Sequence, residues 1–246
     1  MLCTNRFDLY FQSALVSIEQ QTLVDIEILV IVNGVSDSVF ETMVRELTDE
    51  RIRLIRSSLE GVTFSRNLAL QEARADLIAV MDADDVAYPD RLAKQYQYLV
   101  DHIDISVLGA NYDVVDEGGQ VLNRSNLPLS DADIRRSLVC SNPICHPTTM
   151  FRREVALAVG GYSGGLAQDY ELWLKLLSQP AVKFNNMADT VIGYRVPVVS
   201  KARKSRRAYA QVASAQFRQF AATKRPQWLL ASAVSLTKAW FRSTQD

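Results

Sequence analysis

The sequence predicts an α/β protein: a Rossmann-like, mostly parallel sheet flanked by helices, with a smaller antiparallel portion and helices at the C-terminus. Two observations carry this prediction. Short apolar runs rich in Ile and Val alternate with segments of helical periodicity over the first hundred residues, the signature of strand–helix–strand units. One of these runs also ends abruptly in three carboxylates, Asp82, Asp84 and Asp85. In open α/β sheets ligands bind just beyond the carboxyl ends of the strands.

The elements follow in order. "FQSALVSIEQQ" (11–21) puts Phe11, Leu15 and Ile18 near one helical face. "IEILVIVNG" (26–34) is continuously apolar and ends in Asn33-Gly34, as a buried parallel strand running into a turn does. "RIRLIRS" (51–57) alternates polar and apolar, a strand with one wetter face. "TFSRNLALQEA" (63–73) reads as a helix with Phe64, Leu68 and Ala69 on its apolar side. "DLIAVMDADD" (76–85) is the next buried strand. Pro89 and Asp90 then favour a helix start, with Leu92, Tyr96, Leu99 and Val100 as its stripe. Residues 105–122 read as an antiparallel hairpin turning at "DEGG". "DADIRRSLV" and "RREVALAVGGY" are short helices, the second stopped by Gly160 and Gly161. "QDYELWLKLLSQ" (168–179) is a strongly apolar helix with Asp169 near its start. Two helices separated by Pro226 close the chain.

Size and composition are those of a globular protein: 246 residues, 48% hydrophobic and 22% charged. Cys3, Cys140 and Cys145 are too few for a disulfide framework or a zinc site, and idle thiols in a reducing compartment fit them. No leader pattern opens the chain, and no apolar stretch approaches the ~20 residues of a membrane span. The expected location is cytoplasmic. The net charge of −1 hides an asymmetry: residues 1–189 hold 16 basic and 27 acidic residues, whereas residues 190–245 hold eleven basic and no acidic ones. A basic tail on an acidic body suits an anionic partner. Without aromatics interleaved on a sheet or a reader motif, nucleic acid is not expected.

Five segments, in this order, resemble family 2 glycosyltransferases: "SIEQQTLVDIEILVIVNG", "GVTFSRNLAL", "MDADD", "HPTTMFRREVALAVGGY" and "QDYELWLKLL". The resemblance covers roughly residues 1–195. It implies a GT-A fold, with residues 1–103 as the nucleotide-sugar half, 104–195 as the acceptor half and 196–246 as a basic helical tail. It implies an inverting, metal-dependent sugar transferase of hexosyltransferase type. Its donor would be a nucleotide-diphospho-sugar, a UDP-sugar first, and its acceptor a glycan or lipid-linked hydroxyl in bacterial cell-surface polysaccharide synthesis.

The chemistry asks for specific groups. Breaking the sugar–phosphate bond leaves charge on the diphosphate, which Mg²⁺ or Mn²⁺ stabilises. By resemblance Asp84 is the direct metal ligand and Asp82 contacts the metal shell or ribose, while Asp85 caps the next helix. A Asp-rich solvated turn is the plainer reading of those three residues. Asp169 is the candidate base for the acceptor hydroxyl; an acid favoured by the helix dipole is its plainer reading. Arg66 and Asn67, with Asn33, are candidate donor contacts, Arg66 either reaching the diphosphate or locking the acid cluster. Arg195 and Lys201, with Arg203 and Lys204, fall in a loop that the resemblance closes over the diphosphate. His146, Gln168 and Trp173 are the acceptor-side candidates, although Trp173 shares the apolar stripe of its helix and His146 reads nearly as well as a satisfied loop histidine.

Two departures stand out. The family begins with a longer apolar strand, of which "MLCTNR" matches only the end, so most of the first strand is expected to be missing and the sheet edge exposed. Val32 also stands where the family has an Asp that contacts the base. A truncated front raises an alternative: a catalytically weak relative that binds a nucleotide sugar or acts as a scaffold. The last helix, "PQWLLASAVSLTKAWF", either lies peripherally on the inner face of a membrane or packs back on the body.

Overall fold

The computed structural model describes residues 1–196 and 205–241. The first half comprises β1 (Leu2–Thr4), α1 (Leu9–Glu19), β2 (Ile28–Val32), α2 (Asp37–Glu46), β3 (Ile52–Arg56), α3 (Val62–Glu72), β4 (Leu77–Ala79), β5 (Met81–Asp82), β6 (Val86–Ala87) and α4 (Arg91–Asp101). There follow β7 (Val107–Val115), β8 (Val121–Arg124), α5 (Asp131–Ser137), β9 (Met150–Arg152), α6 (Arg153–Ala158), α7 (Gln168–Leu177), β10 (Phe184–Arg195), α8 (Arg206–Thr223) and α9 (Pro226–Phe241).

β2 is buried at every residue, as a continuous apolar run covered by helices on both faces requires. It sits in a parallel sheet of order β3-β2-β1-β5. A second, mixed sheet runs β4-β9-β7-β10-β6, with β8 hairpinned onto β7. β4 and β5 are one extended run, broken only at Val80. Its first half pairs antiparallel with β9 and its second half parallel with β1. Val80 N–H donates to Thr149 O at 2.9 Å and Met81 N–H to Met1 O at 3.0 Å. This run thus leaves one sheet and enters the other, and it delivers Asp82 to the seam between them.

Three expectations need correction. No sheet edge is exposed at the short first strand: Leu2–Thr4 pairs with β2 on one side and β5 on the other. Just ahead of it, the Met1 amine donates to Ala79 O at 2.8 Å, and burial pushes its pKa down to about 6. Phe64 is 53% exposed; α3 turns Ser65, Arg66, Ala69 and Leu70 inward instead. In α4 the buried face is Arg91, Leu92, Gln95 and Leu99, with Tyr96 and Val100 outside. The reason is polar: Arg91 Nη2 donates to Val80 O at 2.6 Å and Gln95 Nε2 to Thr148 O at 2.8 Å. Those bonds satisfy the carbonyls of Val80, at the break between β4 and β5, and of Thr148, in the short 3-10 turn His146–Thr148.

The C-terminal helices form a hairpin on the body. Ser232 Oγ donates to Ala213 O at 2.9 Å and Ser235 Oγ to Gln216 Oε1 at 2.8 Å, tying α9 to α8. Gln216 Nε2 reaches Val139 O at 3.0 Å, and an Arg218–Glu171 ion pair at 2.8 Å links α8 to α7. Trp228 is buried in this packing, while Leu230, Val234, Leu236, Trp240 and Phe241 face outward. Among the described residues no helix is long and apolar enough to cross a membrane.

Candidate active site

A cleft of about 630 Å³ opens where the sheet seam meets α7 and α8. Asp82, Arg66, Asn142, Cys145, His146, Gln168, Asp169, Tyr194, Tyr209 and Lys238 are among its lining residues. Asp82 comes from the end of β5, Arg66 from α3, and Gln168 and Asp169 from the first turn of α7. Each is held by an element that the core fixes, as a preorganised site requires.

Arg66 is the connecting piece. It is 6% exposed. Its Nη2 donates to Asp82 Oδ1 at 2.9 Å. Its Nη1 donates to Gln168 Oε1 at 2.8 Å, in the amide orientation that also satisfies Gly165 O. The guanidinium lies 5.7 Å from the Tyr162 ring centre. One cation therefore joins the acid cluster to the residue beside Asp169.

The aspartate turn is electrostatically crowded. Burial first, and the Asp82 charge second, hold the Asp84 carboxyl above its usual range. Burial, reinforced by Asp82, pushes Asp85 up to about 8. Asp85 does not cap α4. Its Oδ1 accepts from Arg195 N–H at 2.9 Å, and its Oδ2 is buried without a hydrogen-bond partner. Among the described residues, Arg6, 3.8 Å from Asp84 Oδ2, and Arg66 ion-pair with Asp84 and Asp82 respectively. Asp82 and Asp84 keep 34% and 45% of their side-chain surface open. Two half-open carboxylates on a rigid strand end suit a divalent ion that keeps coordination positions for a substrate, and added positive charge would relieve the repulsion that raises Asp84. No group of three or more ligating side chains exists among the described residues.

Several sequence candidates do other work. Asn67 holds the turn after α6: its Oδ1 accepts from Tyr162 N–H at 2.7 Å and its Nδ2 donates to Tyr162 O at 2.9 Å. Both ends of the amide bond the Tyr162 backbone, and Asn67 is not among the residues that line the cleft. Trp173 is fully buried against His146 and Phe151 and does not reach an acceptor. Arg195 braces the acid turn: its Nε donates to Asp84 O at 2.8 Å and its Nη1 to Glu117 O at 2.6 Å, and it lies 4.9 Å from the Tyr10 ring centre. Asn33 is buried at the end of β2, with Nδ2 on Ser65 Oγ at 2.7 Å. His146 lines the cleft, bonded through Nε2 to Tyr162 Oη at 2.8 Å. Burial, with Arg66 and Arg91 nearby, holds it well below the usual histidine range, so the ring is neutral. Lys201, Arg203 and Lys204 lie outside the described residues.

Sequence reasoning missed Asn142, Tyr209 and Lys238. Asn142 stands in a loop with no periodic signal. The other two belong to the C-terminal hairpin, which forms a wall of the cleft; the absence of acids there was the available clue.

The sequence profile described as Glycosyl transferase family 2 matches residues 1–160. The chain belongs to glycosyl transferase family 2. Among relatives of this family, the O-antigen biosynthesis glycosyltransferase WbnJ of Escherichia coli is 31% identical over 224 residues, 89% of this chain and 87% of its own. The amylovoran biosynthesis glycosyltransferase AmsE of Erwinia amylovora is 32% identical over 172 residues, 68% of this chain and 64% of its own. Solved structures share the GT-A fold. S. aureus TarS 1-349 in complex with UDP-GlcNAc aligns over 94% of this chain and 78% of its own, with TM-score 0.63 and 14% identity. Mannosyltransferase PcManGT from Pyrobaculum calidifontis, in complex with GDP-Man and Mn²⁺, aligns over 98% and 72%, with TM-score 0.62 and 17% identity. The protein is thus a glycosyltransferase of family 2, related to enzymes of O-antigen and exopolysaccharide biosynthesis.

Proposed function

We propose that this enzyme transfers a sugar, with inversion, from a nucleoside-diphosphate sugar to a hydroxyl of a glycan or lipid-linked acceptor in cell-surface polysaccharide synthesis. A UDP-sugar is the leading donor. The observation that carries this reading is the Asp82–Arg66–Gln168 chain, which links the strand-end carboxylate Asp82 to the first turn of α7, where Asp169 lines the same cleft.

Asp82 and Asp84 would hold Mg²⁺ or Mn²⁺, which supplies charge stabilisation to the departing diphosphate. A manganese ion accompanies the donor in the PcManGT structure. Asp169 accepts the acceptor's hydroxyl proton as the oxygen attacks the sugar carbon; the bond to phosphate breaks and its electron pair leaves with the diphosphate. Attack from the side opposite the leaving group inverts the anomeric centre. Arg66 fixes Asp82 and Gln168, and Tyr209, Val212, Leu127 and Leu166 give the acceptor side a partly apolar wall. Lys238 reaches the same cleft from α9. The outward face of α9 carries Leu230, Val234, Leu236, Trp240 and Phe241, a composition suited to peripheral contact with an anionic bilayer and hence to a lipid-linked acceptor.

Nucleotide release from a panel of UDP-, GDP- and dTDP-sugars tests the reading. Release should depend on Mn²⁺ and fall by about a hundredfold or more in Asp84→Ala and in Asp169→Asn. Turnover that ignores manganese and survives Asp84→Ala would overturn it.

A further inference from the structure

We propose that Asn142 is a positioning residue for the base: its carboxamide sets the plane of the Asp169 carboxylate toward the acceptor. This rests on the assignment of Asp169 as the base.

The geometry has three parts. Asn142 Nδ2 donates to Asp169 Oδ2 at 2.8 Å. The other end of the amide is already used, because Oδ1 accepts from Ile144 N–H at 3.4 Å in an Asx-type turn. That second bond decides which way the amide faces, so it is the N–H end that meets the carboxylate. The loop itself is pinned. Pro143 restricts the backbone of Asn142 to extended conformations, and Pro143 O accepts from Asn186 Nδ2 at 3.0 Å. Ile144 is buried in the core, and Ser141 N–H returns to Ser137 O at the end of α5 at 2.9 Å. Asn142 is thus a rigid arm anchored in a different element from the helix that carries Asp169, and both side chains line the cleft.

A base is most effective when the plane of its carboxylate is held. The Asn142 donor on Oδ2 restrains rotation about the carboxyl bond and orients the lone pairs of the group. The energetic effect is concentrated in the step where the proton moves, since small angular errors at that point are amplified in rate.

Asn142→Asp is the discriminating variant. It keeps an oxygen to accept from Ile144 N–H and so preserves the turn, but it replaces the donor facing Asp169 with a like charge. With the donor sugar that wild type turns over fastest in the panel above, kcat should fall about tenfold or more while the donor KM stays within about twofold. The acidic limb of the pH–rate profile should move to higher pH, because a like charge disfavours the ionised carboxylate. An Asn142→Asp enzyme with wild-type kcat and an unmoved acidic limb overturns the proposal. A second readout needs no variant at that position. In wild type the Asn142 side-chain amide resonances should titrate, and in Asp169→Asn that titration should vanish. Amide resonances that ignore Asp169→Asn sink the proposal even if every Asn142 variant fails to fold. If wild type turns over no donor while the resonances do track Asp169, the hydrogen bond stands and the assignment of the base fails.

Discussion

Arg66 Nη2 lies 2.9 Å from Asp82 Oδ1, with the arginine 6% exposed and the aspartate half-open. A buried guanidinium cannot shed its charge, so Asp82 and Gln168 are its means of staying paired. Arg66→Ala strands both partners. It should cost about 1–3 kcal/mol in urea unfolding, a range already reduced for the solvent that reaches Asp82. Arg66→Lys keeps the charge but cannot reach both partners in a fork, so its loss should appear mainly in turnover. Equal stability and activity in Arg66→Lys would show that charge alone matters.

Asp85 gives a pH signature. Its carboxyl is pushed up to about 8 in the folded protein by burial and Asp82, whereas in the unfolded chain it titrates near the ordinary aspartate value of about 4. The folded state therefore binds the proton more tightly. The resulting stability is complete below about pH 4 and is lost as pH rises through about 8. Asp85→Asn removes this dependence. Its amide oxygen can still accept from Arg195 N–H, and no charge forms beside Asp82. Urea midpoints at pH 6 and pH 9 should converge in the variant relative to wild type. Parallel pH dependences in the two proteins would refute this account.

Gly161 adopts φ +65°, and a Cβ there would lie 2.3 Å from Asn67 Oδ1. Asn67 cannot retreat without breaking its bond to Tyr162 N–H. Gly161→Ala combines left-handed strain with this clash and should destabilise by about 1–3 kcal/mol. Gly160→Ala, at φ +78° but with nothing within 4 Å, should cost less. Thermal unfolding of the pair separates clash from strain.

The outer face of α9 can be tested without dismantling the hairpin. Removing α9 would strip Trp228, Ser232 and Ser235 from their contacts, so truncation confounds binding with misfolding. Leu230→Ser combined with Trp240→Ser alters residues that are 68% and 72% exposed. Flotation with phosphatidylglycerol-rich vesicles should fall several-fold in this variant at unchanged thermal stability. Flotation equal to wild type would remove the bilayer contact.

Much of the fold was legible because periodicity and burial agree. The run at 28–32 and the carboxylate-terminated run at 77–82 read directly as strands, and the order of five motifs carried the GT-A architecture. What failed were positions where polar groups take core places. Arg91 and Gln95 rotate α4 away from its apolar stripe because they satisfy the carbonyls of Val80 and Thr148, and no hydropathy pattern encodes that. Asn67 was legible as a motif member but not in its role, because an amide that clamps a distant turn looks, in sequence, like a ligand contact; the apolar stripe of α7, by contrast, already pointed Trp173 to the core, where it is buried. Asp82, Arg66, Gln168 and Asp169 do meet in one cleft: Asp82 ends β5, Gln168 and Asp169 open α7, and Arg66 lies on the buried face of α3. Asn142 escaped notice because its role depends on a contact 27 residues away.

The run from Leu77 to Asp82, shared between the two sheets, makes the halves at 1–103 and 104–195 mechanically inseparable. Cut after residue 103, β4 would show a bare edge where β9 belongs, and Val80 would lose its acceptor on Thr149. A bare, apolar strand edge is a template for self-association. Neither piece would be a competent folding unit, and the two expressed apart should be recovered as aggregates or only by co-folding, with a single sigmoidal transition in the intact chain.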